Sequence, residues 1–353
     1  MRGHKEVFEA LRREILAGKY DADRKLPSEV MLSRRFGVSR PTISRVTLDL
    51  KREGLIVTRK GAASTITCFA QNATGALGIV VPGERYAEIF KPLNDRLERL
   101  AARSGWDLIR GEIGGSSPNA LAREVLRLAT RFANERVCGV FFQPIEFLKD
   151  SVKASDDVVR CFDDAGIAVV LLDYDIVPPP ARSRYDVVGI DNVAAGLAIG
   201  RHLVASGARR IAFLHRPNAA PTVTNRMRGV ASAVVENGGR WTLGDNVLFA
   251  EPEDRQAVAK FLKKGRPDAM VAGNDVAAAA LGKTLAKIGH GAEKVRLVGF
   301  DDVEVAAKLG LTTVRQPLDA IADAAMQALV SRIKTPDLPP RTILLNAELV
   351  VRG

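Results

Sequence analysis

Hydrophobic residues recur at helical spacing in three short segments near the start of the chain. Gly18 ends the first predicted helix, Ser28 can cap the second, and Ser39 can cap the third. Pro41 is tolerated in the first turn of the third helix, where a backbone N–H has no helical partner. The predicted core positions are Val7, Phe8, Leu11 and Ile15 in the first helix, Met31, Leu32 and Phe36 in the second, and Ile43, Val46, Thr47 and Leu50 in the third. The pattern predicts three amphipathic helices around one small core.

The second and third helices are separated only by the short Gly37-Val38 turn, and the outer face of the third helix is polar and basic. This is the plan of a helix-turn-helix, whose second helix enters the major groove by its N-terminal residues. After Gly54, the runs Leu55-Ile56-Val57 and Ser64-Thr65-Ile66-Thr67 on either side of Arg59-Lys60-Gly61 predict a β-hairpin, here called the wing. A tip with two cations and a glycine can approach a phosphate backbone closely. Basic outer faces of three amphipathic helices are also compatible with a simple solvated surface. The helix-turn-helix plan favours the other interpretation, a segment that binds double-stranded DNA.

The distribution of charge supports this interpretation. The 353 residues include 52 lysines and arginines against 41 aspartates and glutamates, a net charge of +11. Residues 1–70 alone carry +7 of it, whereas the much longer remainder is nearly neutral. A basic module joined to a neutral body is typical of a nucleic-acid reader attached to a separate domain. The polar, small-residue stretch 70–76 is the predicted linker.

Four ordered segments of residues 1–69 resemble the winged-helix domain of GntR-family transcription regulators. They are Leu26-Pro27-Ser28-Glu29, the stretch from Phe36 to Thr42, the stretch from Leu50 to Leu55, and Lys60-Gly61. The resemblance implies a DNA-binding domain over residues 1–69, with the third helix as its recognition helix. The implied DNA-contacting residues are Ser28, Ser39, Arg40, Thr42, Ser44 and Arg45, with Lys60 and Gly61 in the wing.

From residue 77 onward, short apolar runs alternate with helical stretches. The predicted strands include Leu77–Val81, Trp106–Ile109, Val137–Phe142, Ile167–Leu172, Val187–Ile190, Ile211–Leu214, Ala269–Ala272 and Val295–Val298. Near-continuous hydrophobic strands separated by helices are typical of parallel sheets covered on both faces. This number of strands is larger than one small sheet holds. We therefore predict an α/β body of two doubly wound lobes, with a ligand at the carboxyl ends of the strands.

Polar residues stand just after several of these strands, namely Gln143, Asp173, Asn274-Asp275 and, following Gly299-Phe300, Asp301-Asp302. Amides and carboxylates without the spacing of a metal site suit a hydroxyl-rich small molecule, because each hydroxyl both donates and accepts a hydrogen bond. Each of these side chains has a simpler alternative role as the N-cap of the helix that follows. Their repeated occurrence at the same edge favours a binding site.

A series of motifs in residues 77–353 resembles the effector domain of LacI-type repressors, which is similar to periplasmic sugar-binding proteins. The motifs include Val188 to Asn192, Arg226 to Gly229, Ala272 to Asp275, Leu297 to Asp302 and Thr312 to Pro317. The resemblance implies a periplasmic-binding-protein-like domain, with lobe one over 77–186 and 318–345 and lobe two over 187–317 and 346–353. Together with the GntR-like segment, the chain resembles chimeric regulators of the arabinose-repressor type.

This resemblance also implies an effector site. Arg226 would clamp the effector, since a guanidinium suits either a carboxylate or a pair of hydroxyls. The full implied set is Tyr86, Gln143, Asp173, Arg226, Asn274, Asp301 and Gln316. Where relatives place a stacking aromatic ring, this chain has Phe249-Ala250-Glu251, which favours a sugar over a purine-type effector.

The predicted function is that of a sequence-specific, DNA-binding transcription repressor controlled by a small-molecule effector, a sugar or sugar derivative. A homodimer is expected, because two readers match the two-fold symmetry of palindromic half-sites. The chain shows neither an export signal nor a membrane-spanning stretch, so we expect a cytoplasmic protein without a membrane partner.

A doubly wound α/β enzyme acting on a small polar substrate is the alternative. However, the stretch 111–115 is not a GxGxxG turn, no GxxxxGK[ST] occurs, and the four histidines give no legible Ser/His/Asp or Cys/His set. The sequence therefore predicts no catalytic residues, no cofactor and no metal site, and the protein is not expected to be an enzyme.

Overall fold

The computed structural model describes residues 3–17, 19–20, 25–58, 64–66, 75–82, 88–111, 113–114, 117–290 and 294–352. Within these ranges the chain forms a small N-terminal domain, here called the reader domain, followed by two α/β lobes that each enclose a parallel sheet. Helices and strands are numbered in chain order.

The reader domain is a helix-turn-helix with a short hairpin. It contains α1 (His4–Leu16), α2 (Glu29–Phe36), α3 (Arg40–Arg52) and the antiparallel strands β1 (Ile56–Val57) and β2 (Thr65–Ile66). Ser28 Oγ accepts a hydrogen bond from the backbone N–H of Met31, and Ser39 Oγ accepts one from that of Thr42, both at 3.3 Å. Both predicted helix caps are therefore confirmed. Gly37, at φ +67°, supplies the left-handed residue that ends α2 and starts the turn.

One predicted core position of the reader domain is wrong. Met31 is 61% exposed, whereas Leu32 and Phe36 are buried. Leu32 and Phe36 lie four residues apart and share the inner face of α2, while Met31 is rotated by about 100° from Leu32. The apolar face of this helix is thus narrower than the run of hydrophobic residues indicates.

Lobe one is built on a six-stranded parallel sheet in the order β13-β7-β6-β5-β3-β4. The strands are β3 (Ala76–Val80), β4 (Asp107–Arg110), β5 (Gly139–Phe142), β6 (Ala168–Leu172), β7 (Asp186–Ile190) and β13 (Thr342–Leu345). One face is covered by α4 (Phe90–Arg103) and α13 (Leu318–Lys334), the other by α5 (Pro118–Glu135) and α6 (Ser151–Asp164). Phe141 and Phe142 enter opposite layers and are both fully buried. Burial on both faces explains why the inner strands β3, β5 and β6 are apolar throughout.

Lobe two repeats this plan with a four-stranded parallel sheet in the order β11-β10-β8-β9. Its elements are α7 (Asn192–Ala205), β8 (Ile211–His215), α8 (Pro221–Glu236), α9 (Leu243–Asn246), β9 (Val247–Phe249), α10 (Arg255–Gly265), β10 (Ala269–Ala272), α11 (Asp275–Lys287), β11 (Arg296–Val298), α12 (Glu304–Leu309) and the antiparallel pair β12 (Thr313–Arg315) and β14 (Glu348–Val350). Helices α7 and α8 cover one face, and α10 and α11 cover the other. The predicted fold class is confirmed.

The point at which the chain leaves lobe one differs from the prediction. The whole of β7 lies in the sheet of lobe one, between β6 and β13. The sheet of lobe one therefore extends to Ile190, a few residues beyond the approximate boundary that the sequence predicts. The apolar run 187–190 is equally suited to either sheet, so its pattern carries no information about which neighbours it pairs with.

The reader domain contacts the body at the end of α13. Lys51 Nζ, from α3, lies 2.7 Å from Asp337 Oδ2, just beyond α13. The backbone at Gly54 approaches Lys334 so closely that a Cβ there would lie 1.9 Å from the Lys334 carbonyl oxygen. Gly54 also has φ +72°, a conformation that favours glycine. The C-terminal end of α13 thus lies against the C-terminal end of α3.

Candidate functional site: a DNA-reading face and an effector cleft

The N-terminal ends of α2 and α3 present the described DNA-contact candidates at the surface. Ser28, Ser39, Arg40, Ser44 and Arg45 are exposed, and Thr42 is half-buried. Ser39 Oγ lies 2.8 Å from Thr42 Oγ1, so the two hydroxyls and the first backbone N–H groups of α3 form one polar cluster. A helix N-terminus with nearby cations attracts phosphate oxygens.

A concave surface lies between α3 and the strands of the wing. Ser44, Arg45 and Lys51 line it from α3, and Thr58 and Ser64 line it from the wing. In the part of the chain that the structure describes, Arg45 has no ion-pair partner, so its charge is available to a polyanion. The predicted wing-tip residues Lys60 and Gly61 lie outside the described residues.

A second concavity, the cleft, lies between the two lobes at the carboxyl ends of their strands. Its cavity volume is about 60 Å³, inside a wider concavity that opens to solvent. The cleft brings together most of the predicted effector residues: Asp173, Arg226, Asn274, Asp301 and Gln316. Tyr86 lies outside the described residues.

Close packing of α7 against α8 fixes the position of Arg226. A Cβ at Gly196 would lie 2.0 Å from the carbonyl oxygen of Arg226, and a Cβ at Gly229 would lie 2.1 Å from that of Val193. Only glycine permits the two backbones to approach this closely. The glycine three residues after Arg226 in the predicted motif therefore has a structural role: it holds the helix that carries the arginine.

The guanidinium of Arg226 lies at the base of the cleft and is 5% exposed. Its Nε donates to Asn192 Oδ1 at 2.8 Å, and its Nη1 donates to the Gly273 carbonyl oxygen at 2.6 Å. Nη1 also lies 3.7 Å from Asp301 Oδ1, and the guanidinium stacks 3.7 Å above the Phe300 ring. Arg226 therefore ties together α7, the end of β10 and the end of β11.

Asp301 follows β11 and is 4% exposed. Its Oδ1 accepts a hydrogen bond of 2.8 Å from Gln316 Nε2. Burial raises the pKa of Asp301 to about 7 although Arg226 favours the charged form, and the nearby carboxylate of Asp275 raises it further. At neutral pH this carboxyl group can both donate and accept hydrogen bonds.

Asp173 faces the cleft from lobe one, at the end of β6. Thr222 Oγ1, from α8 of lobe two, donates to Asp173 Oδ2 at 3.3 Å, so one hydrogen bond spans the two lobes. Burial raises the pKa of the Asp173 carboxyl despite the opposing effect of Arg226. The geometry places hydrogen-bonding groups on both walls of the cleft.

Of the two predicted amide residues Asn274 and Gln143, only Asn274 lines the cleft. Asn274 caps α11, since its Oδ1 accepts the backbone N–H of Ala277 at 2.8 Å, and it lines the cleft as well. The N-cap role considered for it from sequence is therefore confirmed, and its contact with an effector stays a prediction. Gln143 is fully buried, does not line the cleft, and hydrogen-bonds with Glu146 behind the wall.

Comparison with known proteins agrees with this arrangement. Residues 4–66 match the gntR family of bacterial regulatory proteins, and residues 201–353 match the periplasmic binding protein-like domain. The chain is 25% identical over 290 residues to the HTH-type transcriptional repressor PurR of Mannheimia succiniciproducens, covering 80% of this chain and 81% of that protein. It is 28% identical over 232 residues to the HTH-type transcriptional regulator CelR of Thermobifida fusca, covering 64% and 66%. The solved CelR–cellobiose complex superposes with a TM-score of 0.67 at 22% identity, covering 93% of this chain and 99% of that one.

The chain is an effector-controlled, DNA-binding transcription regulator. It joins a GntR-type helix-turn-helix to a periplasmic-binding-protein-like domain, as its sequence predicts. The named relatives are regulators and not enzymes, which confirms that prediction.

The structure of this regulator adds cleft residues that the sequence did not reveal. Glu146 and Phe147 line the cleft from the loop after β5, and Thr222 and Arg216 line it from lobe two. Glu146 and Phe147 lie four and five residues beyond the end of β5, so the search for polar residues just after a strand did not include them. Thr222 and Arg216 lie outside the motifs that carry the resemblance.

Two further observations concern the described residues alone. None of the helices there is long and apolar enough to cross a membrane. No cluster of histidine, cysteine, aspartate and glutamate side chains with the arrangement of a metal site occurs among them either.

Proposed function

We propose that this regulator is a repressor whose affinity for operator DNA is controlled by a sugar or sugar derivative bound in the cleft. The observation that carries the proposal is the convergence of carboxyl, amide and guanidinium groups from both lobes on one cavity, represented by Asp173, Arg226, Asn274 and Asp301. Such groups match the alternating donors and acceptors of a polyol. The similar CelR structure is a complex with cellobiose, which supports a sugar as the class of effector.

The position of Phe249 also supports a sugar over a purine-type effector. Its side chain is 56% exposed and packs against the His215 ring at a centroid distance of 5.3 Å. It does not line the cleft, so it offers no stacking surface to a flat base there.

On the DNA side, α3 enters the major groove with Arg40 and Arg45 at the duplex, and the wing tip with Lys60 and Gly61 contacts the backbone. The protein acts as a homodimer, because one reader domain spans only one half-site of a palindromic operator. Sedimentation of the full-length protein with and without a palindromic duplex tests this stoichiometry.

Helix α13 connects the two sites in the proposed mechanism. Leu318 and Ile321, in its first turn, line the cleft, and Gln316, just before it, donates to Asp301. The other end of the helix meets Lys51 and Gly54 of the reader domain. An effector that favours one arrangement of the lobes thereby moves the surface on which the reader domain rests.

Two experiments test the proposed function. In a gel-shift titration against the DNA upstream of the protein's own gene, we expect specific retardation that weakens steeply with salt. In a thermal-shift screen of pentoses, hexoses, sugar acids and nucleosides, we expect a sugar to raise the melting temperature. Absence of specific retardation would contradict the proposed binding to operator DNA. Stabilisation by nucleosides alone would contradict the proposal that the effector is a sugar.

A further inference from the structure

Three carboxyl groups border the cleft. Glu146 and Asp173 come from lobe one and Asp301 comes from lobe two. Glu146 is 8% exposed and Asp301 is 4% exposed. A cavity with three acidic side chains needs cations nearby if it is to hold all three in the ionised form.

The first cation, Arg226, is already engaged by the protein. It donates to Asn192 and Gly273 and lies beside Asp301. Neutral acceptors and the adjacent carboxyl group of Asp301 thus engage it before any ligand enters. The remaining N–H groups of the guanidinium are able to donate to a ligand hydroxyl. Among the lining residues that the structure describes, Arg226 and Arg216 each already have a carboxyl neighbour.

The second cation, Arg216, lies at the cleft wall and is also paired. Its Nε donates to Glu251 Oε2 at 2.7 Å, and its guanidinium stacks 4.3 Å above the Phe147 ring. Phe147 N–H donates to the Asn218 carbonyl oxygen at 2.7 Å, which fixes this contact between the two lobes. Arg216 is thus held by a carboxylate and an aromatic face.

The described lining of the cleft therefore disfavours a further negative charge. Burial and the neighbouring Asp173 raise the pKa of Glu146 to about 7, and burial raises that of Asp301 to about 7 as well. Because burial disfavours the ionised form of these carboxyl groups, it also disfavours a negatively charged group on a ligand beside them. A hydroxyl, by contrast, pairs with either form of a carboxyl group.

We infer that the cleft selects an uncharged, polyhydroxylated sugar and rejects sugar acids and sugar phosphates, and that Glu146 is a residue that sets this specificity. The inference rests on the proposed function, because it concerns the effector of the same cleft. Glu146 reaches the cleft wall from the loop after β5, where Gln143 supports it from behind.

The test is a thermal-shift titration of the full-length protein with matched ligands. For each parent sugar, glucose, arabinose, ribose and galactose, the panel includes the corresponding sugar acid and sugar phosphate, and glucosamine and galactosamine are added. We expect one neutral sugar to raise the melting temperature at a half-maximal concentration at least tenfold lower than those of its anionic forms. Tighter binding of an acid or a phosphate overturns the inference, as does tenfold tighter binding of an amino sugar. No shift with any sugar in the panel overturns the proposed sugar effector instead.

The role of Glu146 is tested by Glu146→Gln, which keeps the size of the side chain and removes its charge. We expect the ratio of half-maximal concentrations, acid form over neutral sugar, to fall about tenfold. The control Glu236→Gln removes a carboxylate that pairs with Arg201 on the outer surface of lobe two, and it should leave the ratio unchanged. An unchanged ratio in Glu146→Gln, with the melting temperature of the free protein retained, overturns this role. If Glu146→Gln does not fold, the titration of the unmodified protein still decides the ligand class.

Discussion

Asp186 and Arg332 form a buried ion pair that joins β7 to α13. Arg332 Nη2 donates to Asp186 Oδ1 at 2.9 Å and Nε donates to Oδ2 at 3.2 Å, while Asp186 has no exposed surface. Arg341 adds its backbone N–H at 2.8 Å and its Nη2 at 2.9 Å. Burial alone would raise the pKa of Asp186, but the hydrogen bonds from Arg341 and Arg332 hold it below its ordinary value.

Breaking this pair should destabilise lobe one strongly. Arg332→Ala leaves Asp186 buried with an incomplete set of partners, and we expect a loss of about 3–5 kcal/mol in the free energy of unfolding. The control is Asp319→Ala, which removes an exposed partner of Arg96 and should cost at most about 1 kcal/mol. Urea denaturation measures both, and equal effects would contradict the structural role of the buried pair.

Arg226→Ala should abolish the response to the effector while leaving DNA binding intact. The substitution removes the donor at the base of the cleft and leaves Asp301 without its nearest cation. The control Arg228→Ala removes an exposed arginine two residues along the same helix, whose partner is Asn225. Thermal shift with the effector and gel retardation without it are the two measurements. Loss of retardation in Arg226→Ala would indicate a folding defect or a wrong assignment.

Arg45→Ala should weaken operator binding and reduce its dependence on salt. If Arg45 neutralises one phosphate, the slope of log affinity against log salt falls by about 0.9. The control Arg127→Ala removes an exposed cation on α5, paired with Glu124 and remote from α3. Fluorescence anisotropy at several salt concentrations gives the slopes. Identical slopes for Arg45→Ala and the unmodified protein would exclude a phosphate contact.

The pH dependence of stability should reveal the buried carboxyl of Asp301. Its folded pKa of about 7 lies above its ordinary value of 3.8, so the folded state binds more protons than the unfolded state between these values. The contribution of Asp301 to stability therefore falls as pH rises from about 4 to about 7, and stays constant above. In the effector-free protein, we expect Asp301→Asn to gain stability relative to the unmodified protein as pH increases from 5 to 7.5.

The neighbouring Asp302 provides a control of opposite sign. Burial opposes its ionisation, but hydrogen bonds from Arg352 and Arg315 lower its pKa below 3.8. Its stabilising effect is therefore complete at pH 5 and above, and Asp302→Asn should shift stability by the same amount throughout pH 5 to 7.5. Urea denaturation across this range distinguishes the two variants, and parallel curves would contradict the raised pKa of Asp301.

The contact between Lys51 and Asp337 should carry part of the coupling between the two sites. Asp337→Lys places like charges where the ion pair of 2.7 Å now stands. We expect the effector-induced change in DNA affinity to shrink, while the effector still raises the melting temperature. Glu135→Lys, a charge reversal on α5 remote from α3, controls for added positive charge. An undiminished effector response of DNA affinity in Asp337→Lys would exclude this route.

Local features of this protein follow directly from its sequence. The caps at Ser28 and Ser39 depend on side chains that bond backbone groups three residues away, so short patterns identify them. The parallel strands are apolar because helices cover both faces of each sheet, and that property is also legible in single segments. Asp173, Asn274 and Asp301 reach the cleft for a related reason, since each follows a strand whose carboxyl end meets that edge of its sheet.

Only the tertiary structure decided which groups meet. The sheet to which β7 belongs depends on its pairing with β6 and β13, one of them far along the chain. The cluster of carboxyl groups in the cleft likewise arises because segments from two lobes bring Glu146, Asp173 and Asp301 together beside Arg226. Burial and long-range proximity set the charge that a site presents to a ligand, and neither is a property of a short segment.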